Sequence, residues 1–337
     1  MADAIAETHE PLPLDHWFVA LDSRELRRGR PLGIRRFGLD LVLWRDEAGA
    51  PRCVGDRCPH RGAALSAGKV RDGTIECPFH GFRFDGEGAC VKVPCNPPDS
   101  QRARHLDTRA FVVREVHGMI WLWWGEAREA GDYPDVPWFT ELEGREHSSF
   151  FVDTAVNWQR NVENQLDWAH LPFVHATTIG RGYPEHVVAR CEVDGDRLVT
   201  WVAHDETGDG VPDFHITFQF PNIWLNPLGD RVVAFVAFVP VDDERSRMYF
   251  RTYVRRFAIP GLARLVGRAI DVANRVILSQ DLRVLHTQPP TVDPSEERLV
   301  QADLPIGQFR KQLRRRAQPG VATVGGPRDT SALEQTG

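Results

Sequence analysis

The sequence predicts an α+β protein in two parts: an all-β domain, then a helix-grip-like domain in which an antiparallel sheet wraps a long helix. Three observations predict it. Residues 17–124 break into short apolar or alternating runs, WFVALD, GLDLVLWRD, FVVREV and MIWLWW, separated by Gly, Asp and Pro turns. The second half carries longer strand candidates at 148–156, 187–203, 214–220, 231–240 and 247–257. It also carries helical patterns, one starting near Trp158, one over about 261–287 and one near 304–316.

In chain order, residues 15–124 form the first domain and 125–147 a linker, since GEAREAGDYPDVPW is rich in turn formers. Residues 148–316 form the second domain, and 317–337 are expected to be a disordered tail. A chain of 337 residues can bury two cores. A formal net charge of −6 argues against nucleic acid, whose phosphates call for a basic surface. No apolar run approaches the roughly 20 residues of a membrane helix, so neither nucleic acid nor membrane is an expected partner. The opening MADAIAETHEPLPLDHW has acids and no apolar core, unlike a signal peptide. A cytoplasmic location follows, and there the six cysteines read as metal ligands or core residues rather than disulfides.

Two loops stand out in the first domain. Cys58-Pro59-His60-Arg61-Gly62 is echoed by Cys77-Pro78-Phe79-His80-Gly81. Pro and Gly let each loop turn tightly around a bound object. Tetrahedral zinc accepts two Cys and two His, but zinc spacings usually pair like with like. Here each loop offers one of each. That suits a [2Fe–2S] centre with one iron on two thiolates and the other on two imidazoles. Cys53, Cys90, Cys95 and Cys191 lack such partners and read as core residues.

The second domain contains Asp167-x-x-His170-x4-His175. Asp167 and His170 are three apart and are expected on one helical face. His170 and His175 are five apart, roughly 140° on a regular helix, and Pro172 between them is expected to kink it. The long helix places Leu262, Leu265, Val266, Ala269, Ile270, Ala273, Val276 and Ile277 at helical spacing. Asp281 falls on that stripe, where a carboxylate is costly unless paired or metal-bound. Asp271 neighbours Arg268, Asn274 and Arg275 and is expected to be solvated. Two histidines and a carboxylate make a facial triad for Fe(II), so His170, His175 and Asp281 are the expected ligands.

Residues 58–81 resemble the Rieske motif, and 157–175 with Asp281 resemble the catalytic motif of Rieske non-haem iron oxygenases. Respiratory Rieske proteins carry an extra cysteine in each loop, where this chain has Ala63 and Phe79, and a Ser where it has Phe82. Fewer hydrogen bonds to sulfur favour a lower potential. NVENQLDWAHLPFVHATTIGRGYP is most similar to chlorophyllide and pheophorbide oxygenases, whereas the length resembles vanillate- and dicamba-type O-demethylases and saxitoxin-pathway hydroxylases. The chain has no C-terminal membrane segments like those of the plant enzymes, so chlorophyll is not the expected substrate.

The resemblance implies a [2Fe–2S] cluster, a mononuclear Fe(II) and electrons from a ferredoxin or flavin reductase. It implies a head-to-tail homotrimer in which Asp167 bridges His170 to His80 of a neighbour, with Asn164 beside it. It implies hydroxylation or oxidative demethylation of an aromatic or polycyclic small molecule with O2. Cis-dihydroxylation, and electron transfer without oxygenation, are the competing readings. The substrate is expected between the long helix and the strands at 214–220 and 222–226, with Trp224, Asn226 and Phe235 as pocket candidates. The run Arg310–Arg316 reads as a solvated helix end, with ferredoxin docking as its alternative.

Overall fold

The run MIWLWW becomes β11 (Met119–Trp124), buried at every position because it is the middle strand of a three-stranded sheet with β1 (His16–Asp22) and β10 (Val113–Val116). The computed structural model describes residues 12–97, 102–203 and 211–317. A second sheet pairs β2 (Leu32–Arg36), β3 (Leu39–Arg45), β4 (Pro51–Gly55) and β9 (Ala110–Phe111). A third joins β5 (Lys69–Arg71), β6 (Thr74–Glu76), β7 (Arg83–Phe84) and β8 (Cys90–Lys92). The expected tail at 318–337 lies outside the described residues.

The second half builds one seven-stranded antiparallel sheet in the order β12-β18-β17-β16-β15-β14-β13. Its strands are β12 (Arg145–Thr154), β13 (Val188–Asp194), β14 (Arg197–Ala203), β15 (Ile216–Gln219), β16 (Ile223–Pro227), β17 (Val232–Pro240) and β18 (Ser246–Arg255). The stretch expected as one strand at 187–203 is instead a hairpin, turned at Gly195 with φ of 55°. An L side chain is strained there, so the glycine sets the turn. Among the described residues four helices accompany this sheet: α1 (Trp158–Leu166), α2 (Leu171–Val174), α3 (Leu262–Leu285) and α4 (Leu304–Ala317).

Cross-strand register sorts the sheet into two faces, because directly paired residues point the same way. Ser148 and Phe150 pair with Thr252 and Phe250, which pair with Ala234 and Val236, which pair with Asn226 and Trp224. That face carries α3. A Cβ on Gly267 would come within 2.6 Å of Ser148 Oγ, so only glycine permits this close approach. The opposite face carries Ser149, Arg251, Phe235 and Leu225. Arg251 there donates to Asp22 at 3.0 Å and to the His117 carbonyl at 2.7 Å, which locks the first domain onto the sheet. The linker joins the same packing, since Trp138 stacks on His117 at 4.0 Å and Trp17 donates to the Pro134 carbonyl.

Four expectations are corrected on α3, α4 and the cysteines. The inward face of α3 is Ala263, Gly267, Asp271, Leu278, Asp281 and Leu285. Leu265 and Val276, expected inside, are 60% and 51% exposed. The expected stripe is rotated from the true one because a helix with apolar residues on two sides has no unique moment. Asp271 is buried, not solvated, and accepts from Thr252 Oγ1 at 2.6 Å. Arg310 and Arg316 are buried in ion pairs with Glu163 and Asp196, so only Lys311, Arg314 and Arg315 of that run are solvated as expected. Cys95 is exposed rather than part of the core.

Candidate active site

The two Cys/His loops fold alike despite their different spacing. In the first, Cys58 N donates to the Ala63 carbonyl and Gly62 N donates back to Cys58. In the second, Cys77 N donates to Phe82 and Gly81 N donates back to Cys77. Both glycines have positive φ, 76° and 71°, which closes each turn over its cysteine. Cys58 and Cys77 are buried, whereas His60 and His80 are exposed, with ring centroids 4.7 Å apart. Burial, with the neighbouring Cys77, pushes the Cys58 thiol up to about 11. A thiolate pair there calls for a bound cation. The donor set therefore fits a cluster with an inner thiolate-held iron and an outer imidazole-held one.

The mononuclear set is assembled on the helical side of the seven-stranded sheet. The expected single helix does not run through 158–175: α1 stops at Leu166, and Asp167 is extended, with φ −83° and ψ 120°. His170 and His175 then cap the two ends of α2, with Pro172 inside its first turn, where its missing N–H costs nothing. The break therefore lies at Asp167, upstream of the proline. It achieves what a kink was expected to do. The ligand atoms of His170, His175 and Asp281 all lie within 4.8 Å of one another. His175 Nε2 is 2.8 Å and His170 Nε2 3.4 Å from Asp281 Oδ1.

Protonation explains why this cluster wants a cation. His175 Nδ1 lies 2.8 Å from Gln280 Oε1, an acceptor, so the proton belongs on Nδ1 and the Nε2 lone pair faces Asp281. Two lone pairs at that distance repel unless a cation sits between them. Burial lowers the His170 pKa, but Asp167 and Asp281 outweigh it and push it up to about 9. Asp281 Oδ1 and His170 Nδ1 are buried without hydrogen-bond partners among the described residues. His170 Nδ1 does have Asp167 Oδ2 at 3.5 Å, within tightening distance of a hydrogen bond. The three residues thus suit a divalent metal with open positions.

Gln280 was not foreseen from the sequence. It takes the hydroxyl of Thr178 at 2.8 Å as well as His175, so its carbonyl is held in place. No spacing rule links residue 280 to 175. Asn164 and Asp167 do come together, on a groove of about 410 Å³ with Arg160, Glu163, Glu297 and Arg310. Behind them Glu163, Arg310, Glu297 and Arg160 form a chain of ion pairs. Burial pushes the Glu163 carboxyl up, against the pull of Arg310.

The pocket candidates split. Trp224 and Asn226 share the face that carries α3, and Trp224 Nε1 and Asn226 Oδ1 are buried without partners among the described residues. Phe235 points the other way and packs on Trp138 at 5.4 Å, so it does not join them. Alternation along β17 decides this, and the sequence shows no face.

Comparison with known proteins yields two family models and many relatives. The Rieske [2Fe-2S] domain matches residues 16–117, and the vanillate O-demethylase oxygenase C-terminal domain matches 154–319. The chloroplastic chlorophyllide a oxygenase of Chlamydomonas reinhardtii is 39% identical over 169 residues, 50% of this chain and 25% of that protein. The 3-chlorobenzoate-3,4-dioxygenase oxygenase subunit of Comamonas testosteroni is 27% identical over 263 residues, 70% of this chain and 58% of that one. The chain thus spans between a quarter and somewhat over half of these relatives. In structure, Pseudomonas putida CBB5 NdmA with caffeine superposes with a TM-score of 0.74 at 23% identity, covering 89% of this chain and 90% of that one. Dicamba monooxygenase bound to dicamba gives 0.67 at 20%, covering 90% and 97%.

Proposed function

The chain belongs to the Rieske non-haem iron oxygenases, and from that premise we propose that it uses O2 to hydroxylate or oxidatively demethylate an aromatic or polycyclic small molecule. The observation that carries the proposal is the convergence of His170, His175 and Asp281 on one point. Family membership implies both a [2Fe–2S] cluster and a mononuclear iron. Cys58, His60, Cys77 and His80 would hold the first, and His170, His175 and Asp281 the second. Together the centres supply stored electrons and O2 activation.

The chain's own residues do the rest. Gln280 holds the His175 proton on Nδ1, leaving Nε2 free to bind metal. Asp167 stands 3.5 Å from His170 Nδ1 and orients that ring in the same way. Trp224 offers an N–H and Asn226 a carbonyl oxygen to a substrate that otherwise meets apolar side chains. The mostly buried strands β15 to β17 keep water away from that face.

Electron delivery involves a second copy. The first domain packs on the sheet face opposite to α3, and its exposed His60 and His80 stand on loops built around a hydrophobic cluster separate from the main core. A homotrimer that brings a neighbour's His80 to the Asn164–Asp167 groove would close the gap, with a ferredoxin or flavin reductase as donor. The matching structures of NdmA and dicamba monooxygenase hold caffeine and dicamba, and such ring-bearing molecules are the class to try first.

The test is anaerobic purification followed by metal and turnover assays. About three irons and two acid-labile sulfides per chain are expected, with O2 uptake coupled to loss of a methyl ether or N-methyl donor. Stoichiometric zinc without labile sulfide would overturn the reading.

A further inference from the structure

We propose that the outward face of α3 docks on an anionic lipid bilayer. The face is apolar where a water-exposed helix ought to be polar: Leu265 is 60%, Val272 65% and Val276 51% exposed. At about 100° per residue, Leu265, Ala269, Val272 and Val276 fall within an arc of roughly 60°. Arg264, Arg268 and Arg275 fall within roughly 40° of one another on one flank of that arc. Both acids of the helix turn inward, Asp271 to Thr252 and Asp281 to the histidines. The exposed surface of α3 is therefore apolar and cationic, with no carboxylate to neutralise it.

The cationic flank continues past the helix. Arg275 lies over the Phe150 ring at 4.0 Å and lines an open groove of about 890 Å³. The same groove is lined by Arg24, Arg27 and Arg30. Arg24 is paired with Asp22, but Arg27, Arg30, Arg268 and Arg275 form no ion pair with a carboxylate among the described residues. Just before the helix, Ile259 is 65% exposed. All this occurs in a chain whose net charge is −6, so the basic surface is concentrated, not general.

Charge and shape together select the occupant. A second copy meeting this face symmetrically would set arginine rows against each other, which costs free energy. The head-to-tail neighbour proposed above uses the Asn164–Asp167 groove at the other end of α3, beside Leu285 and Gln288. A helical protein partner is usually gripped in an apolar groove, whereas α3 presents a convex ridge beside a groove of mixed charge. A bilayer surface accepts a convex apolar ridge into its headgroup region, and arginines alongside reach the phosphates while their stems stay apolar. The expectation of no membrane partner rested on the absence of a spanning apolar run, which does not test a surface face. Asp281 lies on the inner side of the same helix. On the iron-oxygenase reading, docking would therefore place the site beside the bilayer, within reach of a poorly water-soluble substrate.

The experiment is flotation of the metal-loaded full chain with vesicles of phosphatidylcholine alone or mixed with phosphatidylglycerol. Flotation with the mixed vesicles only, released by salt, is expected. Arg264→Ser and Arg268→Ser should each lower partitioning about fivefold, and Leu265→Ser/Val272→Ser should also lower it. Cluster absorbance and turnover on a soluble substrate serve as folding controls, so failure of docking is read apart from failure of the oxygenase reading. Absence of flotation, equal flotation on both vesicles, or flotation unchanged in the variants overturns the proposal. So does a changed oligomeric state in Leu265→Ser/Val272→Ser with flotation intact, which would assign the face to a contact between copies. Binding to poly-glutamate without flotation would assign it to an acidic protein, and the proposal would fall.

Discussion

Gln280 Oε1 accepts the Nδ1 proton of His175 at 2.8 Å, and this one contact fixes which nitrogen of the ring faces Asp281. A polar residue that orients a ligating histidine commonly contributes ten- to a hundredfold in metal affinity. Gln280→Leu should lose mononuclear iron at least tenfold faster to a chelator, with the visible absorption of the cluster unchanged. Gln280→Glu, which still accepts from Nδ1, should retain most of it. Equal iron retention in Gln280→Leu and wild type would remove Gln280 from the site.

The two ligand sets should fail independently. His170→Ala and Asp281→Ala should abolish turnover and mononuclear iron yet keep acid-labile sulfide. Cys77→Ser should destroy the cluster, since its buried thiolate has no replacement within the closed turn from Cys77 to Phe82. Full activity in Asp281→Ala would mean that another carboxylate completes the triad.

Asp167 is positioned to act through His170, whose Nδ1 it approaches to 3.5 Å. Asp167→Asn keeps the shape and removes the charge. Iron content and cluster reduction by dithionite should persist, while single-turnover re-oxidation of the cluster with substrate and O2 should slow by orders of magnitude. Re-oxidation at the wild-type rate would exclude Asp167 from the electron route.

Arg251 joins the domains through Asp22, and neither side chain has water to fall back on. Arg251→Ala leaves Asp22 with only the exposed Arg24 as its ion-pair partner, and should cost about 2 to 3 kcal/mol for the lost buried, charge-assisted hydrogen bonds, read as a lower urea midpoint. Asp22→Asn in the same background should recover part of that loss.

His147, facing this same network, supplies a pH signature. Burial first, then Arg251 and Arg24, hold its pKa down to about 4. The unfolded chain binds a proton near pH 6.5 that the folded chain refuses, so stability should fall as pH drops from about 6.5 to about 4, by roughly 3 kcal/mol for this group. His147→Gln should flatten that slope in urea titrations across the window. An unchanged slope would assign the acid sensitivity to other groups.

Some of this protein is local and therefore readable in the chain. The Cys-x-His and Cys-x-x-His loops, with their glycines, contain nearly everything needed to close each turn, and Asp167, His170 and His175 lie within nine residues of one another. Strand alternation and turn formers mark an α+β chain for the same reason: they depend on neighbours a few residues away. What the sequence by itself left open depends on rotation, register and distance along the chain. A helix with apolar residues on two sides does not announce which side meets the sheet, so Asp271 looked solvated and Leu265 buried when the reverse holds. A strand buried on both faces does not say which face Phe235 takes, and only pairing with β16 and β18 decides it. Gln280 meets His175 across 105 residues, a contact that packing α3 on the sheet creates and no local periodicity encodes.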